Sequence, residues 1–487
     1  MSQTTATGWN IANPEQLYKA AVSDSASYGT TLHLMRLAPG EGSLTADWID
    51  FAEDAVPHRE YSLEYRTRGG TDATVIPLGR GRGSGAATIT GLTDGTDYEL
   101  CILAEQAGSP EPERSPWRLF RPGHVPGTVI NYIHPEDYTY GFSGRSVASP
   151  SIVRLPDGSL LASHDIFWGN EGQNTSMLFR SRDDGATWSF VQFLYPCFWG
   201  KLFLHRGRLY MLATSTEYGA LLIGRSDDGG ETWSAPTEII AAGSQKAGGP
   251  HKAPMPVIEH NGRLWTGIDY GSWTLGSHAS GLVSVPADAD LLDSSQWTVM
   301  PFLPYDLEWP GTVGGTNRAG LLEGNAVVTP DGKLVNLLRY QTNGGNPDHG
   351  RAIMLQADPD RPEQPLTFYK VIPFYGNLSK FTVYYDLDSA CYWSLVSRVK
   401  PDKTGQRNIL ALVRSADLEH WEIVQDVLNY EDNGWPEDFK KVGFQYIDWI
   451  SDGDDILFAS RTAINGAYNF HNANYLTYHK IANFRSL

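Results

Sequence analysis

The sequence predicts an all-β protein: a β-propeller of six blades, or seven if one repeat is cryptic, preceded by a small β-sandwich. An eight-residue pattern, S-x-D-x-G-x-T-W, occurs at residues 181–188 and again at 226–233. Hairpin signals recur through the second part of the chain, and 50 glycines with 12% aromatic residues favour short strands and many turns. Repeats of this period indicate a stacked or circular architecture.

The repeated octapeptide has the residue types of a tight turn beneath a hairpin. Asp and Ser side chains bond the turn backbone, Gly supplies a positive φ, and Trp packs under the hairpin. The pattern resembles the Asp-box of sialidase-type β-propellers, where its role is structural. A degenerate copy at 415–421 lacks the glycine and is one residue shorter, and Asp290 to Trp297 is a weaker echo. The Asp-boxes therefore predict the fold and not the reaction.

Turn segments divide residues 127–487, the expected propeller domain, into repeats. Each turn is flanked by apolar strands, and the last repeat has only three strands. We expect residues 128–133 to supply its missing outer strand and so to close the ring. The predicted turns lie at 155–158, 205–208, 260–263, 329–332, 386–389 and 451–454.

The part of the chain before the propeller is expected to contain an N-terminal extension, residues 1–27, and a β-sandwich, residues 28–123. Alternating strands are predicted at 31–37, 61–66, 87–89 and 98–105. The stretch around Tyr98 resembles the tyrosine corner of fibronectin type III sandwiches, and Trp48 sits where that family keeps a core tryptophan. The resemblance implies a spacer or docking module, joined to the propeller by a linker at 122–127.

Composition excludes several classes of function. A net charge of −18 argues against non-specific nucleic-acid binding, although it permits an anionic ligand at a locally basic site. Cys101, Cys197 and Cys391 are too few and too widely spaced for a disulfide framework or a zinc site. We find no span long and apolar enough for a membrane and no signal peptide, so we expect a cytoplasmic protein, with a secreted one whose leader was trimmed as the alternative. The oligomeric state is left open.

Propeller topology sorts polar residues by face. The hairpins between first and second strands lie on the bottom with the Asp-boxes, whereas the starts of first strands and the ends of second strands surround the channel on top. Basic groups predominate among these top-face residues, which predicts an anionic ligand, a carboxylate in particular. The top-face candidates are His164, Asp165, Asp269, Tyr270, Arg339, Tyr340 and Arg461 at the ends of second strands, Lys201, His251, Lys252, Glu323, Lys380 and Gln445 at the starts of first strands, and Tyr218, His471 and Asn474 in loops.

Sialidases themselves carry an arginine in a Y/F-R-I-P segment on the first blade, two further arginines, a Tyr/Glu pair and an Asp. The corresponding stretch here is 147–151, and Ala148 occupies the place of the first arginine. Arg339 and Arg461 match the other two, but the sequence does not complete the triad. A bidentate clamp on a sialic-acid carboxylate is therefore not expected.

Residues 149–485 resemble another group of propeller enzymes, the L-rhamnose-α-1,4-D-glucuronate lyases, and more distantly the propeller ulvan lyases. The matching segments are 149–152, 162–165, 251–254, 259–265, 322–325, 336–339, 379–382, 443–449, 460–463 and 471–475. The resemblance implies degradation of uronate-containing glycans, with the catalytic histidine of the group falling on His164. The sandwich module and Asn472, where an Asp is commoner, depart from the group.

Elimination at a 4-linked uronate requires neutralisation of the carboxylate, a base for the C5 proton and an acid for the departing oxygen. We assign neutralisation to Arg339 or Arg461 and the base to His164, with His251, Tyr218 and His471 as partners. The substrate-binding residues are expected to be Lys201, Lys252, Glu323, Lys380, Gln445 and His471. The scheme requires no cofactor, and a structural metal ion stays open.

Two alternatives use the same fold. A glycoside hydrolase, of rhamnosidase or sialidase type, needs two carboxyl groups beside the scissile bond, and Asp165, Asp269 and Glu323 are the evident top-face acids. A non-catalytic carbohydrate-binding propeller needs none. In each case the expected partner is an acidic oligosaccharide or polysaccharide, with no nucleic acid and no membrane.

Overall fold

A computed structural model describes residues 9–52, 58–105, 110–169, 171–312, 320–341, 350–376, 379–400, 405–432, 434–435 and 440–487. The α-helix in these ranges is α1 (Pro14–Ala21), and nearly all other regular structure is β-strand. No described helix combines the length and the apolar character that crossing a membrane requires.

The first part of the chain folds into two sheets that share one core. Its strands are β1 (Leu32–Gly40), β2 (Ser43–Asp50), β3 (Glu60–Thr67), β4 (Thr74–Arg80), β5 (Ser84–Thr90), β6 (Tyr98–Glu105), β7 (Glu113–Arg114) and β8 (Arg118–Phe120). One sheet has the order β1-β2-β5 and the other β4-β3-β6-β7, with β8 also paired to β6. Trp48 packs against Tyr61 in the core, and the Tyr98 hydroxyl accepts a hydrogen bond from the Thr93 amide at 3.1 Å. Membership of the fibronectin type III family stays a prediction.

Six four-stranded sheets, the blades of a β-propeller, follow in chain order. Blade 1 comprises β10 (Ser146–Arg154), β11 (Leu160–Phe167), β12 (Ser176–Ser181) and β13 (Ser189–Leu194), and blade 2 comprises β14 (Phe198–His205), β15 (Arg208–Thr214), β16 (Leu221–Ser226) and β17 (Thr237–Ile240). In blade 3 the inner strand is split into β18 (Gly249–His251) and β19 (Ile258–His260), followed by β20 (Arg263–Ser272), β21 (Ser277–Pro286) and β22 (Thr298–Val299).

Blade 4 comprises β23 (Gly320–Val328), β24 (Leu334–Gln341), β25 (Arg351–Ala357) and β26 (Thr367–Pro373), and blade 5 comprises β27 (Thr382–Asp386), β28 (Cys391–Ser397), β29 (Ile409–Ser415) and β30 (Glu422–Asn429). Blade 6 comprises β31 (Gly443–Asp452), β32 (Asp455–Ala463) and β33 (Tyr475–Ile481), with β9 (Thr128–Tyr132) as its outer strand. All six predicted turns join the first two strands of a blade, which confirms the repeat boundaries.

Strand β9 closes the ring as the sequence predicted. It pairs antiparallel with β33, so that Tyr475 lies opposite Tyr132, although the two strands come from opposite ends of the propeller sequence. The inner strands β31 and β10 also contact each other across the closure. Ring closure by pairing of distant segments removes the exposed edge strand that an open array of sheets would leave.

The Asp-boxes occupy the turns between the third and fourth strands. In the first box the Ser181 hydroxyl accepts the Gly185 amide at 2.8 Å, and the Trp188 indole donates to the Gly185 carbonyl at 3.1 Å. In the degenerate box Leu418 replaces the glycine at a φ of 67°, and the Trp421 indole still donates to its carbonyl. The turn is therefore held by the indole contact even where the glycine is missing.

The N-terminal extension and the sandwich both attach to the propeller. The Trp9 indole donates to the Pro196 carbonyl at 2.9 Å, and its ring packs against Trp233 of the second Asp-box. Arg36 of β1 donates to the carbonyls of Val129 and Ile130 in β9 at 2.8 and 2.7 Å. Residues 1–8 of the extension lie outside the described part.

Candidate functional site

The inner strands of four blades contain the same irregularity at their upper ends. Ser149, Trp199, Glu323 and Tyr446 all have left-handed backbone, with φ values of 49°, 54°, 54° and 55°. The strand register shifts at each of them, so each marks a β-bulge. A bulge with left-handed backbone is costly for a residue other than glycine and redirects its side chain. We call these four residues the bulge residues.

Two buried carboxyl groups support neighbouring bulges. Asp165 of blade 1 accepts the Trp199 amide at 2.7 Å, and Asp269 of blade 3 accepts the Glu323 amide at 2.7 Å. Burial raises the pKa of Asp165 to about 7 and holds the pKa of Asp269 well above its ordinary value. Each carboxyl group therefore positions a bulge residue of the next blade. Asp165 and Asp269, two of the three acids predicted on the top face, thus support the backbone of the site.

Glu323, Tyr446 and Arg339 form a buried triad at the channel mouth. The Tyr446 hydroxyl donates to Glu323 Oε1 at 2.7 Å, while Arg339 Nη1 contacts Glu323 Oε2 at 3.0 Å and the Tyr446 hydroxyl oxygen at 3.2 Å. All three side chains are buried. Bulge residues of two different blades, 123 positions apart in the chain, thus meet through one hydrogen bond.

Electrostatics keep Glu323 ionised. Burial opposes its ionisation, but Arg339 and the Tyr446 hydroxyl outweigh that cost and hold the pKa of Glu323 below its ordinary value. Burial and the Glu323 charge raise the pKa of Tyr446, and the neighbouring arginines oppose this rise. The pair is therefore a neutral phenol hydrogen-bonded to a carboxylate, which is the arrangement of a nucleophile or acid next to its base.

Two more arginines border the triad. Arg461 of β32 is 2% exposed, and its guanidinium lies 5.1 Å from the Tyr446 ring centroid and 5.0 Å from that of Phe167. Its Nε and Nη2 atoms are buried without a hydrogen-bond partner in the described part of the chain. Arg407, which enters from the loop after β28, donates to the side chain of Gln445 at 2.5 Å.

The three arginines of the cluster affect one another's ionisation. Burial together with Arg339 and Arg461 lowers the pKa of Arg407 to about 9, and burial lowers the pKa of Arg461 to about 10. Of the described carboxyl groups Glu323 is the one bonded to the cluster. Buried guanidinium groups with unpaired N–H donors recognise carboxylates well, because the fork of donors matches the two oxygens.

A wall of rings borders the other side of Glu323. His251 Nδ1 lies 3.3 Å from Asp269 Oδ2, and the His251 ring is 4.5 Å from both the Trp199 and the His278 rings, centroid to centroid. Burial lowers the pKa of His251 to about 4, although the Glu323 charge opposes the shift. His251 is therefore a neutral imidazole that Asp269 orients beside the triad.

Tyr218 extends this wall toward the rim. Its ring lies 6.0 Å from that of His251, and its hydroxyl oxygen accepts the amide of Trp273. The preceding residue, Glu217, accepts a hydrogen bond from Gln173 at 3.0 Å, and burial raises its pKa. Glu217 was not predicted as a site residue, because no motif surrounds it in the sequence.

His164 does not lie at the channel mouth, contrary to the prediction. Its Nε2 atom bonds Asn131 of the outer strand β9 at 2.9 Å, its Nδ1 atom bonds the Asp165 carbonyl, and its ring stacks on Phe179. The side chain is fully buried between blades 1 and 6. Adjacent residues of a strand point to opposite faces, so His164 and Asp165 are separated even though both end the same strand.

The three lysines lie below the bulges and not at the mouth, also contrary to the prediction. Lys201 bonds both carboxyl oxygens of Asp448 at 2.8 and 2.7 Å. Lys252 donates to the Trp199 carbonyl at 2.7 Å and Lys380 to the Ile447 carbonyl at 2.6 Å. All three are buried and bonded within the protein, so they brace the channel.

The structure thus separates the predicted residues into two groups. Those near the mouth are Glu323, Arg339, Arg461, His251, Tyr218, Gln445 and His471, whose ring packs on Phe167 at 5.1 Å. Tyr446 and Arg407 were missed. Gln445, one residue before Tyr446, was predicted at the mouth because a regular strand would place it there, and the bulge changes which residue reaches the triad.

The chemistry available is that of an organic acid–base site. It contains a carboxylate-bound phenol, three guanidinium groups and an oriented imidazole. Within the described residues no group of three or more His, Cys, Asp or Glu side chains has the geometry to hold a metal ion.

Comparison with known proteins gives similarity of structure alone. No family model matches the sequence, and no curated protein matches it. Among solved structures, an α-L-arabinanase of Penicillium chrysogenum complexed with arabinobiose is similar at 13% identity and a TM-score of 0.46, covering 74% of this chain and 98% of its own.

A leech intramolecular trans-sialidase complexed with 2,7-anhydro-Neu5Ac is similar at 11% identity and a TM-score of 0.47, covering 95% of this chain and 93% of its own. An α-L-arabinofuranosidase of Fusarium graminearum with an iminosugar inhibitor is similar at 13% identity and a TM-score of 0.45, covering 69% and 93%. At such values the likeness carries nothing about activity.

Proposed function

We propose that this protein is an enzyme that cleaves the glycosidic bond of a carboxylate-bearing sugar, by hydrolysis or transfer, with Tyr446 as the nucleophile. The observation that carries the proposal is the 2.7 Å hydrogen bond from the buried Tyr446 hydroxyl to Glu323, inside a cluster of arginines. Tyrosine is an established alternative to a carboxylate nucleophile among glycosidases.

Charge explains why a phenol suits this site better than a carboxylate. A substrate carboxylate held by Arg339, Arg407 and Arg461 lies close to the reacting carbon. An anionic nucleophile would be repelled by that carboxylate, whereas a neutral phenol approaches without this cost. Glu323 then accepts the phenolic proton as the oxygen attacks, so negative charge is never concentrated on the nucleophile.

The bonds and protons of the first step balance with residues at the site. Tyr446 Oη forms a bond to the anomeric carbon, the glycosidic C–O bond breaks, and the phenolic proton passes to Glu323. We assign protonation of the departing oxygen to His251 acting together with Asp269. The Asp269 carboxyl group, whose pKa burial holds well above its ordinary value, gives its proton to His251 Nδ1 while the Nε2–H of the ring protonates the oxygen. In the second step water or another sugar hydroxyl attacks the anomeric carbon, and the bond from that carbon to Tyr446 Oη breaks. The proton lost by the attacking group returns through His251 to Asp269, and Glu323 returns the phenolic proton to Tyr446.

The arginines bind the carboxylate and set specificity. Arg461 is the strongest candidate because its buried Nε and Nη2 donors have no partner among the described residues and would gain hydrogen bonds on binding. Arg339 is already bonded to Glu323, so it contributes both to the ligand and to the orientation of the base.

Product analysis tests the proposal. The protein is incubated with aryl glycosides of N-acetylneuraminate and of glucuronate and with gum arabic and ulvan fragments, and products are identified by mass. We expect release of a saturated acidic sugar, and a fluorinated acidic-sugar fluoride should label the peptide containing Tyr446. Absence of any cleavage, or cleavage that is unchanged in Tyr446→Phe, would overturn the proposal.

β-Elimination at a 4-linked uronate is the second candidate. It is favoured by the same arginine cluster, which would neutralise the carboxylate and acidify the C5 proton, with Tyr446 as the base. It ranks second because His164, the base first expected for elimination, lies between blades and away from the arginines. A product lighter by one water than the hydrolysis product, with the absorbance of a C4–C5 double bond, would establish elimination.

The proposal also covers the class of ligand and the cellular compartment. An acidic oligosaccharide or polysaccharide fits the cluster of guanidinium groups, and action in the cytoplasm stays a prediction of the sequence.

A further inference from the structure

A stack of rings and one guanidinium lies on the rim beside the candidate site. Arg145 is sandwiched between two rings, with its guanidinium 3.9 Å from the Trp168 centroid and 4.4 Å from the Tyr138 centroid. The Trp168 ring in turn contacts Tyr468 at 4.7 Å. We call Tyr138, Arg145, Trp168 and Tyr468 the rim stack.

The rim stack is exposed to solvent. Tyr138 is 65% exposed and Tyr468 is 56% exposed, values that are high for large aromatic side chains in a chain whose other rings mostly pack inside. Exposed aromatic groups that cluster on one surface commonly mark a binding surface. Sugar rings bind such surfaces through their C–H faces, which match the apolar and electron-rich faces of the rings.

Arg145 gives the surface a charge preference. Its Nη1 atom donates to the Pro135 carbonyl at 3.3 Å and to the Tyr138 hydroxyl at 2.5 Å, and among the described residues it makes no ion pair. A cation without a carboxylate partner is unusual in a chain of net charge −18. A partly exposed guanidinium between rings is suited to a planar anion such as a carboxylate.

The rim stack is continuous with the arginine cluster. Trp168 follows Phe167 directly in the chain, and the Phe167 ring lies 5.0 Å from the Arg461 guanidinium. His471 packs on the same Phe167 ring, and Tyr468 belongs to the same loop of blade 6 as His471. A path of contacts therefore runs from the unpaired donors of Arg461 outward to Arg145.

We infer that the rim stack binds a second acidic sugar of the same glycan. This inference rests on the proposed function and deepens it: the substrate is a chain with at least two carboxylate-bearing units, one held by the arginine cluster and one by Arg145 between Tyr138 and Trp168. The ligand is thus a polyanionic glycan and not a single terminal acidic sugar on a neutral chain.

Affinity electrophoresis of the full chain tests the inference without catalysis. The wild-type protein is run in native gels that contain polyglucuronate, ulvan or gum arabic, with dextran as the neutral reference. We expect retardation by an acidic glycan, and we expect Arg145→Met to raise the apparent dissociation constant about tenfold, the value of one charge-assisted hydrogen bond. Arg145→Lys should restore part of the affinity, since it keeps the charge but loses the planar fork.

A matched control distinguishes an effect specific to the rim stack from the effect of removing any exposed aromatic ring. Tyr468→Ala should weaken retardation, whereas Tyr385→Ala should not, because Tyr385 is similarly exposed at 46% but belongs to β27 beside a bottom hairpin. Thermal melting verifies that each variant is folded. If Arg145→Met and the wild type are retarded equally, or if no acidic glycan retards the wild type, the inference is overturned.

The outcome is distinguishable from failure of the proposed function. Tyr446→Phe should abolish cleavage and leave retardation unchanged, because the rim stack does not include Tyr446. If the wild type is retarded but does not cleave the glycan, the proposed reaction is refuted and the second subsite is kept. If the wild type cleaves the glycan but Arg145→Met is retarded as strongly as the wild type, the second subsite is refuted and the proposed reaction is kept.

Discussion

Two layers of buried cations surround the same channel, and they differ in how their donors are used. In the upper layer Arg461 has buried N–H groups that no described residue pairs, and Arg339 shares Glu323 with Tyr446. In the lower layer Lys201 bonds Asp448, and Lys380 bonds a backbone carbonyl. The comparison teaches that a concentration of positive charge does not by itself make a binding site, because what a ligand gains depends on donors that the protein has left unpaired.

The bulges create the difference between the layers. At Trp199 and Tyr446 the chain turns the bulge residue toward the mouth, and the residues two positions further, Lys201 and Asp448, point into the lower layer. One strand thus supplies a residue to each layer. The lower layer is held together across the channel, since Lys201 is on blade 2 and Asp448 on blade 6.

The largest expected effect comes from removing the phenolic oxygen in the upper layer. Tyr446→Phe should lower kcat by about 10³-fold or more, because no other group replaces the nucleophile, while Arg339 still neutralises Glu323. The measurement is kcat on an acidic aryl glycoside. Tyr478→Phe is the matched control and should keep full activity, since the Tyr478 hydroxyl is buried beside the first Asp-box with no hydrogen-bond partner in the described ranges.

The next effect concerns stability and belongs to the lower layer. Asp448→Asn should lower the free energy of unfolding by about 3–5 kcal/mol, because it leaves the buried Lys201 ammonium without its counter-charge. Urea unfolding followed by tryptophan fluorescence measures it. A change below about 1 kcal/mol would mean that the lower layer does not brace the ring.

Arg461→Met should impair substrate binding without lowering stability, the opposite of what Asp448→Asn should do. It should raise KM for an acidic substrate about 100-fold, the scale of two lost charge-assisted hydrogen bonds, and leave stability unchanged or slightly higher. The Nε and Nη2 atoms of Arg461 are buried without a hydrogen-bond partner among the described residues, so little is lost from the fold. A normal KM combined with a clearly lower melting temperature would place Arg461 with the structural cations.

The last prediction is a pH dependence of the lower layer. Burial lowers the pKa of Lys380 to about 7, against 10.5 for the ordinary side chain. Above the folded pKa the unfolded chain binds a proton that the native protein does not, so the contribution of Lys380 to stability rises with pH up to the ordinary value and falls as pH drops through this window. Lys380→Met should remove a slope of about 1 kcal/mol per pH unit from the unfolding free energy measured over this range.

Much of the fold could be predicted because its signals are local. The Asp-box turns need Asp, Ser, Gly and Trp at fixed spacing, and in the degenerate copy Leu418 takes the place of the glycine. The missing fourth strand of the last repeat predicted the pairing of β9 with β33, because a sheet edge in a closed ring has to be covered.

The site was predicted less well, and particular residues show why. Counting along a regular strand placed His164 and Lys380 at the mouth, but alternation and burial send them elsewhere. Tyr446 was missed because a single extra residue in β31 changes which side chain faces the triad. Arg407 lies in a loop, where no regular alternation of side chains predicts which way a residue points.

The chain by itself determined the architecture: turn chemistry, alternation and the incomplete last repeat sufficed for six blades closed by a strand from before the first one. The tertiary structure, in contrast, determines which cationic side chains can bind a ligand. Whether a guanidinium or an ammonium is available depends on partners that come from other blades, such as Glu323 for Arg339 and Asp448 for Lys201. Those partners meet through the curvature of the ring and the bulges of its inner strands, which join residues that lie far apart in the sequence.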